Sequence, residues 1–364
     1  MNERESQNPA SERSPHILIA GGGTGGHVIP ALCVAGSLRE NGALVRFVGS
    51  ESGIERDLVP SAGYPLHSLP LRGLAGGPLS RACAGSLFLR ALLRCRTLIN
   101  EFRPGAVLGV GGYASAPAVA AANAMKIPTF LHEQNSVPGR VNRFASRFTT
   151  GVFVTFPAAG ERLEDAVWVG MPTRKEFFGA SRGEAVLSLD LEPPVVLVFG
   201  GSGGALKINL AAAEAFSAPT PFTVVQISGR RDFARLSTHN PRHKIIEYAD
   251  DIWRFLAAAD VVVSRAGAGS LFDTAAVGRA AILIPFPYAT SDHQLHNARY
   301  FTERGAAELL ADSELTATTL RRRVEGLLYD DGRREALAGR MRALATPGAS
   351  DELAGWLLRA AGRE

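Results

Sequence analysis

Cysteine is scarce in this sequence. Cys33, Cys83 and Cys95 are the only three in 364 residues, and no two form a CxxC pair. An odd set without spacing argues against a disulfide scaffold and for a reducing compartment. Long apolar runs are missing too: no stretch of about 18 uninterrupted apolar residues occurs, so no segment reads as a membrane span. The first 14 residues, MNERESQNPASERS, have no apolar h-region and read as a disordered tail, not a signal peptide. Charge of one sign is also in short supply. A net charge of +4 suits an anionic substrate or an anionic membrane surface, and it is too small and too scattered to argue for nucleic acid.

Metal and nicotinamide patterns fail as well. His293 and His296 can share a helix face, but no third ligand lies near them, and no DxD motif is present to hold a metal on a sugar nucleotide. The segment Gly21-x-Gly23-x-x-Gly26 formally satisfies the dinucleotide fingerprint, yet no clear acid follows about 20 residues on. Glu51 comes late and sits in a loop-like stretch. Neither a metal nor a cofactor is expected.

What is present is a globular composition, 46% hydrophobic and 20% charged, with a length that suits two domains. Strand candidates alternate with helical stretches. In the first half they are 16–20, 45–49, 106–110, 129–132 and 151–156; in the second half, 195–199, 222–227, 244–248, 260–264 and 281–285. Apolar runs of this length between helices predict βαβ units and parallel sheets covered on both faces. The halves begin alike. HILIA leads into GGGTGG, and VVLVF leads into GGSGG. The expected fold class is therefore α/β, two doubly wound Rossmann-like domains facing across a ligand cleft. The expected boundaries are a tail over 1–14, a first domain over 15–170 and a second over 171–344. The linker is Val169-Gly170-Met171-Pro172-Thr173, and a C-terminal helix within 345–364 crosses back to the first domain.

Four glycine turns follow strands: 21–26, 109–112, 200–204 and 266–269. Glycine lets the backbone come close to a ligand, and a helix N-terminus offers N–H groups to an anion. A single turn of this kind is equally a tight strand-to-helix corner. Four at carboxyl ends of parallel strands point to diphosphates and sugars. His132-Glu133-Gln134-Asn135 also follows a strand; His132 fits a buried structural role as well as a functional one. The segment 79–103 sets Leu87, Phe88, Leu89, Leu92 and Leu93 beside Arg81, Arg90, Arg94 and Arg96. It suits adsorption to anionic lipid, or an ordinary surface helix with its apolar stripe in the core.

GGGTGGH, GVGGYASAP, LHEQNSVPG, VGMPTR, VFGGSGGALKIN, ADVVVSRAGAGS and DHQLHNA occur in this order between His16 and Ala307. In these motifs the chain resembles the MurG-type glycosyltransferases of peptidoglycan synthesis. The resemblance implies a GT-B fold and transfer of N-acetylglucosamine (GlcNAc) from UDP-GlcNAc to the C4 hydroxyl of a lipid-linked muramyl-pentapeptide, with inversion. It implies peripheral attachment to the cytoplasmic face of the bacterial inner membrane, and contact with other cell-wall synthesis proteins. Carried over by motif, Gly23, Thr24, Gly111, Gly112 and Tyr113 would meet the acceptor diphosphate. The donor would be bound by Thr24, Gly25, Gly26, Asn135, Arg174, Ser202, the backbone at Ala249, Ala268, Gly269, Ser270, Leu271, Phe272, Asp273 and Gln294. His27 and Asn135 would be catalytic, with His27 activating the acceptor hydroxyl or orienting the group that does. The family typically has Gln where this chain has Gly203, a larger apolar residue at Gly269, and Glu at Asp273. Two further readings keep the nucleotide sugar: an epimerase or hydrolase of the same fold, and a non-catalytic binding subunit.

Overall fold

A computed structural model describes residues 14–71, 78–201 and 203–362. The expected disordered tail, Ser14 apart, lies outside them, as does Ser202. The chain divides into two compact units. One runs through to Gln134 and includes Pro138–Pro172 and the chain from Gly348; the other comprises Asn135–Val137 and Thr173–Pro347.

The first unit carries seven strands: β1 (His16–Ala20), β2 (Leu44–Ser50), β3 (Leu66–Leu69), β4 (Ala106–Gly109), β5 (Thr129–Glu133), β6 (Gly151–Val154) and β7 (Ala166–Trp168). Their order is β3-β2-β1-β4-β5-β6-β7, parallel throughout. The second unit has β8 (Val195–Phe199), β9 (Thr223–Ile227), β10 (His243–Ile246), β11 (Val261–Ser264), β12 (Ala280–Leu283) and β13 (Glu308–Leu309), ordered β10-β9-β8-β11-β12-β13 and also parallel. Both sheets are doubly wound. All ten sequence-predicted strands are present, within one or two residues at each end. The three strands that the sequence did not announce, β3, β7 and β13, are edge strands of two to four residues. An edge strand needs no long apolar run, because only one neighbour pairs with it.

The period-two alternation of β1 sorts its side chains between two cores. Ile17 and Ile19 pack with the helices Gly25–Glu40 and Ala349–Ala361 on one face. Leu18 and Ala20 pack with the helices Pro78–Phe102 and Ala116–Ala124 on the other. Burial on both faces is why these strands read as continuous apolar runs rather than alternating ones. In the second unit the corresponding core gathers Val196, Val198, Val261 and Val263 against Ile208, Leu320 and Val324.

The helix Ala349–Ala361 completes the first unit. Leu353 and Leu357 are fully buried in its core, and the Ser37 hydroxyl donates to Asp351 Oδ1 at 2.7 Å. Gly105 lies so near this helix that an added Cβ would stand 2.8 Å from the Ala361 Cα. Leu357→Ala should therefore cost about 2–5 kcal/mol, the range for emptying a fully buried leucine site. Urea denaturation followed by fluorescence checks it; a loss within error of zero would mean that the helix does not contribute to the first unit's stability.

Candidate active site

In a doubly wound sheet, ligands gather where strand order reverses, outside the carboxyl ends of the two strands at that point. That point lies between β1 and β4 in the first unit, and between β8 and β11 in the second. All four glycine turns sit there. Turn 21–26 follows β1 and turn 109–112 follows β4; turn 200–204 follows β8 and turn 266–269 follows β11. The sequence pointed to carboxyl ends in general, and the strand order narrows this to one crevice per unit.

The first turn is packed from behind by Glu55, a residue that sequence reasoning missed. Glu55 is 1% exposed. Its Oε1 accepts from the Ser50 N–H at 2.8 Å and from the Ser50 hydroxyl at 2.9 Å, and its Oε2 accepts from the Gly23 N–H at 2.7 Å. A Cβ on Gly22 or Gly53 would overlap this carboxylate, and one on Gly49 would fall 2.6 Å from its Cγ. The Gly23 N–H, expected at the acceptor diphosphate, is thus engaged inward. Thr24 is exposed and precedes the helix Gly25–Glu40 as its N-cap residue, without a side-chain cap bond. Its hydroxyl instead lies 3.0 Å from His27 Nδ1. Gly25 is buried and Gly26 exposed. Gly111 and Gly112 have φ of +86° and +72°, and a Cβ on Gly111 would lie 3.4 Å from His27 Nε2. The His27 ring therefore rests on the second turn, joining it to the first. Tyr113 is 40% exposed beside it.

His132 resolves to the structural alternative. It is buried, with Gln134 Nε2 at 3.1 Å from Nδ1 and the Gly170 carbonyl and Thr155 hydroxyl each at 3.2 Å from Nε2. Burial lowers its pKa to about 4, the bond to Gly170 opposes the shift, and the charge of His27 adds to it. Neutral His132 can then accept from Gln134 and donate to Gly170. Next to it, Glu133 Oε2 accepts from the Gly139 N–H at 3.0 Å and from Asn142 Nδ2 at 2.8 Å.

In the second unit the helix Ala268–Val277 starts at Gly267 with no side-chain cap. Ala268 is buried and Gly269, Ser270 and Asp273 are part-exposed along its first turns. Leu271 and Phe272 are at most 2% exposed, and Phe272 packs edge-on against Phe301. Their side chains belong to the core, so a donor would meet these two residues through their backbone. Burial pushes the Asp273 carboxyl up to about 7, with Arg174 pulling the other way. Arg174 stacks on Phe177, its carbon Cζ 4.8 Å from the ring centre, and its buried Nε has no hydrogen-bond partner among the described residues. Gln294 Oε1 accepts from the Phe286 N–H at 3.0 Å, which anchors the side chain and leaves its amide N–H groups and the second oxygen lone pair for sugar hydroxyls. Asn135 groups with this unit, where its Oδ1 accepts from Asn297 Nδ2 at 3.2 Å. Ala249 is part-exposed in the loop after β10. Ser202 lies outside the described residues.

Comparison with known proteins matches a family domain to each unit. The glycosyltransferase family 28 N-terminal domain matches residues 17–154, and the family 28 C-terminal domain matches 195–351. The UDP-N-acetylglucosamine–N-acetylmuramyl-(pentapeptide) pyrophosphoryl-undecaprenol N-acetylglucosamine transferase of Rubrobacter xylanophilus is 68% identical over 91% of this chain and 99% of its own length. Its counterpart from Oenococcus oeni is 35% identical over 93% and 95%. The chain belongs to the MurG family. Among solved structures, Acinetobacter baumannii MurG superposes with a TM-score of 0.76 at 27% identity, covering 95% of this chain and 99% of its own. The calicheamicin glycosyltransferase CalG4, at 18% identity and a TM-score of 0.70 over 96% and 99%, shares the fold.

Two of the departures from the MurG pattern have a simple spatial reading. A Cβ on Gly203 or on Gly269 would meet nothing within 4 Å among the described residues. The fold does not demand glycine at either place, so these residues open space rather than relieve a clash. The basic segment is also clearer. In the helix Pro78–Phe102, Ala91, Cys95, Leu98, Ile99 and Phe102 form the core stripe, while Leu92 packs partly against it. Phe88, Leu89 and Leu93 stay 39%, 56% and 56% exposed beside exposed Arg90, Arg94 and Arg96. A core stripe and an exposed apolar set therefore coexist on one helix. Arg81 has no described side chain.

Asp273 generates a pH prediction. Its folded pKa is raised, so the native state holds a proton that the unfolded chain gives up from about pH 4. The destabilising contribution is absent below that pH, grows as pH rises to about 7, and is full above. Asp273→Asn should then unfold at a higher temperature than the parent at pH 8, with the gap closing at pH 4. Thermal scans at both values check this, and an equal gap at the two would refute it.

Proposed function

We propose that this chain transfers GlcNAc from UDP-GlcNAc to the C4 hydroxyl of undecaprenyl-diphospho-muramyl-pentapeptide, the step from lipid I to lipid II in peptidoglycan synthesis. The observation that carries this reading is the 68% identity to a curated transferase along almost the whole of both chains. The furnishing of both switch points with glycine turns supports it. The first unit binds the lipid-linked acceptor, and the second holds most of the nucleotide sugar.

The chemistry is a direct displacement. The acceptor oxygen forms a bond to the anomeric carbon as the bond from that carbon to the diphosphate oxygen breaks, and UDP leaves with the electron pair. His27 takes the hydroxyl proton or orients the group that does. The Thr24 hydroxyl at its Nδ1 fixes the ring, and the bare backbone of Gly111 gives it room. Charge building on the departing diphosphate meets Arg174, Ser202 and the uncapped N-terminus of the helix Ala268–Val277. Asp273 takes the ribose diol; one methylene shorter than Glu, it requires a closer backbone. Incubation with labelled UDP-GlcNAc and a lipid-linked muramyl acceptor, in the presence of a chelator, should yield the disaccharide. His27→Ala should retain UDP-GlcNAc affinity and lose about 100-fold or more in turnover, the size of general-base assistance. Release of free GlcNAc or an epimer without transfer would favour the other nucleotide-sugar chemistries, and no turnover at all would favour a binding subunit.

The acceptor's polyprenyl chain requires work at a lipid surface, on the cytoplasmic face of the inner membrane. No helix among the described residues is long and apolar enough to cross one. Attachment instead uses Phe88, Leu89 and Leu93 with Arg90, Arg94 and Arg96. It also uses a second exposed pair in the same unit: Phe144 and Phe148 are 67% and 62% exposed and 5.6 Å apart, among exposed Arg140, Arg143 and Arg147. Apolar insertion and attraction to anionic headgroups act together at such patches. Flotation with anionic vesicles should fall several-fold for Arg90→Glu/Arg94→Glu, roughly 1 kcal/mol being carried by each basic residue near the surface. Undiminished flotation would remove this helix from the contact.

A further inference from the structure

We infer that Glu55 is the positioning residue of the first glycine turn, holding the Gly22–Gly26 backbone in the form that receives the acceptor diphosphate. The inference rests on the assignment of that turn to the acceptor. Three donors converge on the buried carboxylate, and they come from the ends of two neighbouring strands: Ser50 at the end of β2 and Gly23 in the turn after β1. A side chain that ties the ends of two neighbouring strands together fixes the height of the turn between them.

The glycine content of the region follows from this seat. Gly22, Gly49 and Gly53 surround the carboxylate so closely that none could carry a Cβ without displacing it. Two of the three lie outside the GGGTGG motif, so the motif accounts for only part of the arrangement. Occupying the Gly23 N–H also sorts the donors of the turn. The Thr24, Gly25 and Gly26 N–H groups have no partner among the described residues. They are what remains for an anion, beside the partial positive charge of the helix start.

The second unit has a partial counterpart. Glu55 stands five residues after Ser50, the last of β2; Asp232 stands five after Ile227, the last of β9. Asp232 is 1% exposed, and its Oδ2 accepts from Asn209 Nδ2 at 3.0 Å. A Cβ on Gly204, in the turn after β8, would lie 3.2 Å from that same oxygen. In each unit a buried carboxylate five residues past the strand beside the switch point lies behind the glycine turn, and in the first unit it is also hydrogen-bonded to that turn.

A carboxylate is required because every group facing it is a donor. Glutamine would set its own NH₂ against one of them, and aspartate is a methylene too short to span Ser50 and Gly23. In the full-length enzyme, Glu55→Gln should raise the acceptor KM about tenfold or more, the size of one lost charge-assisted hydrogen bond. The affinity for UDP, read by calorimetry, should stay within about twofold. A folded Glu55→Gln protein with the parent's acceptor KM would overturn the inference. Should that variant not fold, Ser50→Ala, which removes only the hydroxyl donor, is expected to raise the acceptor KM several-fold, and an unchanged value again overturns it. Gly26→Val separates the two layers, since an added Cβ there meets only Thr24 Oγ1, at 3.8 Å. If Gly26→Val leaves acceptor KM unchanged, the turn is not the acceptor site and both statements fall. If it raises KM while Glu55→Gln does not, only the role of Glu55 falls.

Discussion

The molecule depends on backbone being brought against backbone at the two switch points. In the first unit Ala20 pairs with Gly109, the last residues of β1 and β4, so their turns leave the sheet at the same height. In the second, Phe199 pairs with Ser264 in the same way. Matched heights crowd the turns together. A Cβ on Gly21 would overlap Val110, and one on Gly112 would lie 3.0 Å from the Gly22 carbonyl oxygen. Only residues without side chains can meet so closely. The bare N–H groups and the seat of His27 follow from that crowding.

Much of this was legible in the sequence because parallel strands buried on both faces announce themselves. VVLVF and HILIA leave little choice of conformation, and a glycine run after each marks the corner. The edge strands were not legible: LHSL, AVW and EL gain their conformation from one neighbour rather than from their own composition. Leu271 and Phe272 show a different limit. They sit inside a motif, and a motif does not say which side of its helix faces a ligand; the core took both. Glu55 was hidden in SESGIERD, a polar stretch that reads as surface. Its signal lay elsewhere, in Gly49 and Gly53, which no turn explained.

Buried charge is handled the same way across the fold, by surrounding it with fixed donors or an opposite charge. Arg265, between β11 and the last glycine turn, bonds the Ile284 and Pro285 carbonyls at 3.1 Å and Asp312 at 2.6 Å. Burial pushes Asp312 up, but the bonds from Lys207 and Arg265 outweigh it and leave the carboxyl below its ordinary value. Removing one member of such a group strands the others without solvent. These clusters hold the loops in register.

The return of the chain to the first unit at Gly348 has a consequence for biosynthesis. Leu353 and Leu357 fill the same core as Ile17 and Ile19, yet they leave the ribosome more than 300 residues later. Domains generally fold as units, in order of synthesis. Here the unit begun first is finished last: its sheet waits, with one face incompletely covered, while the whole of the second unit is made and can fold. A chain that has completed the first unit's sheet but stalls before Gly348 therefore exposes apolar surface that the completed protein covers.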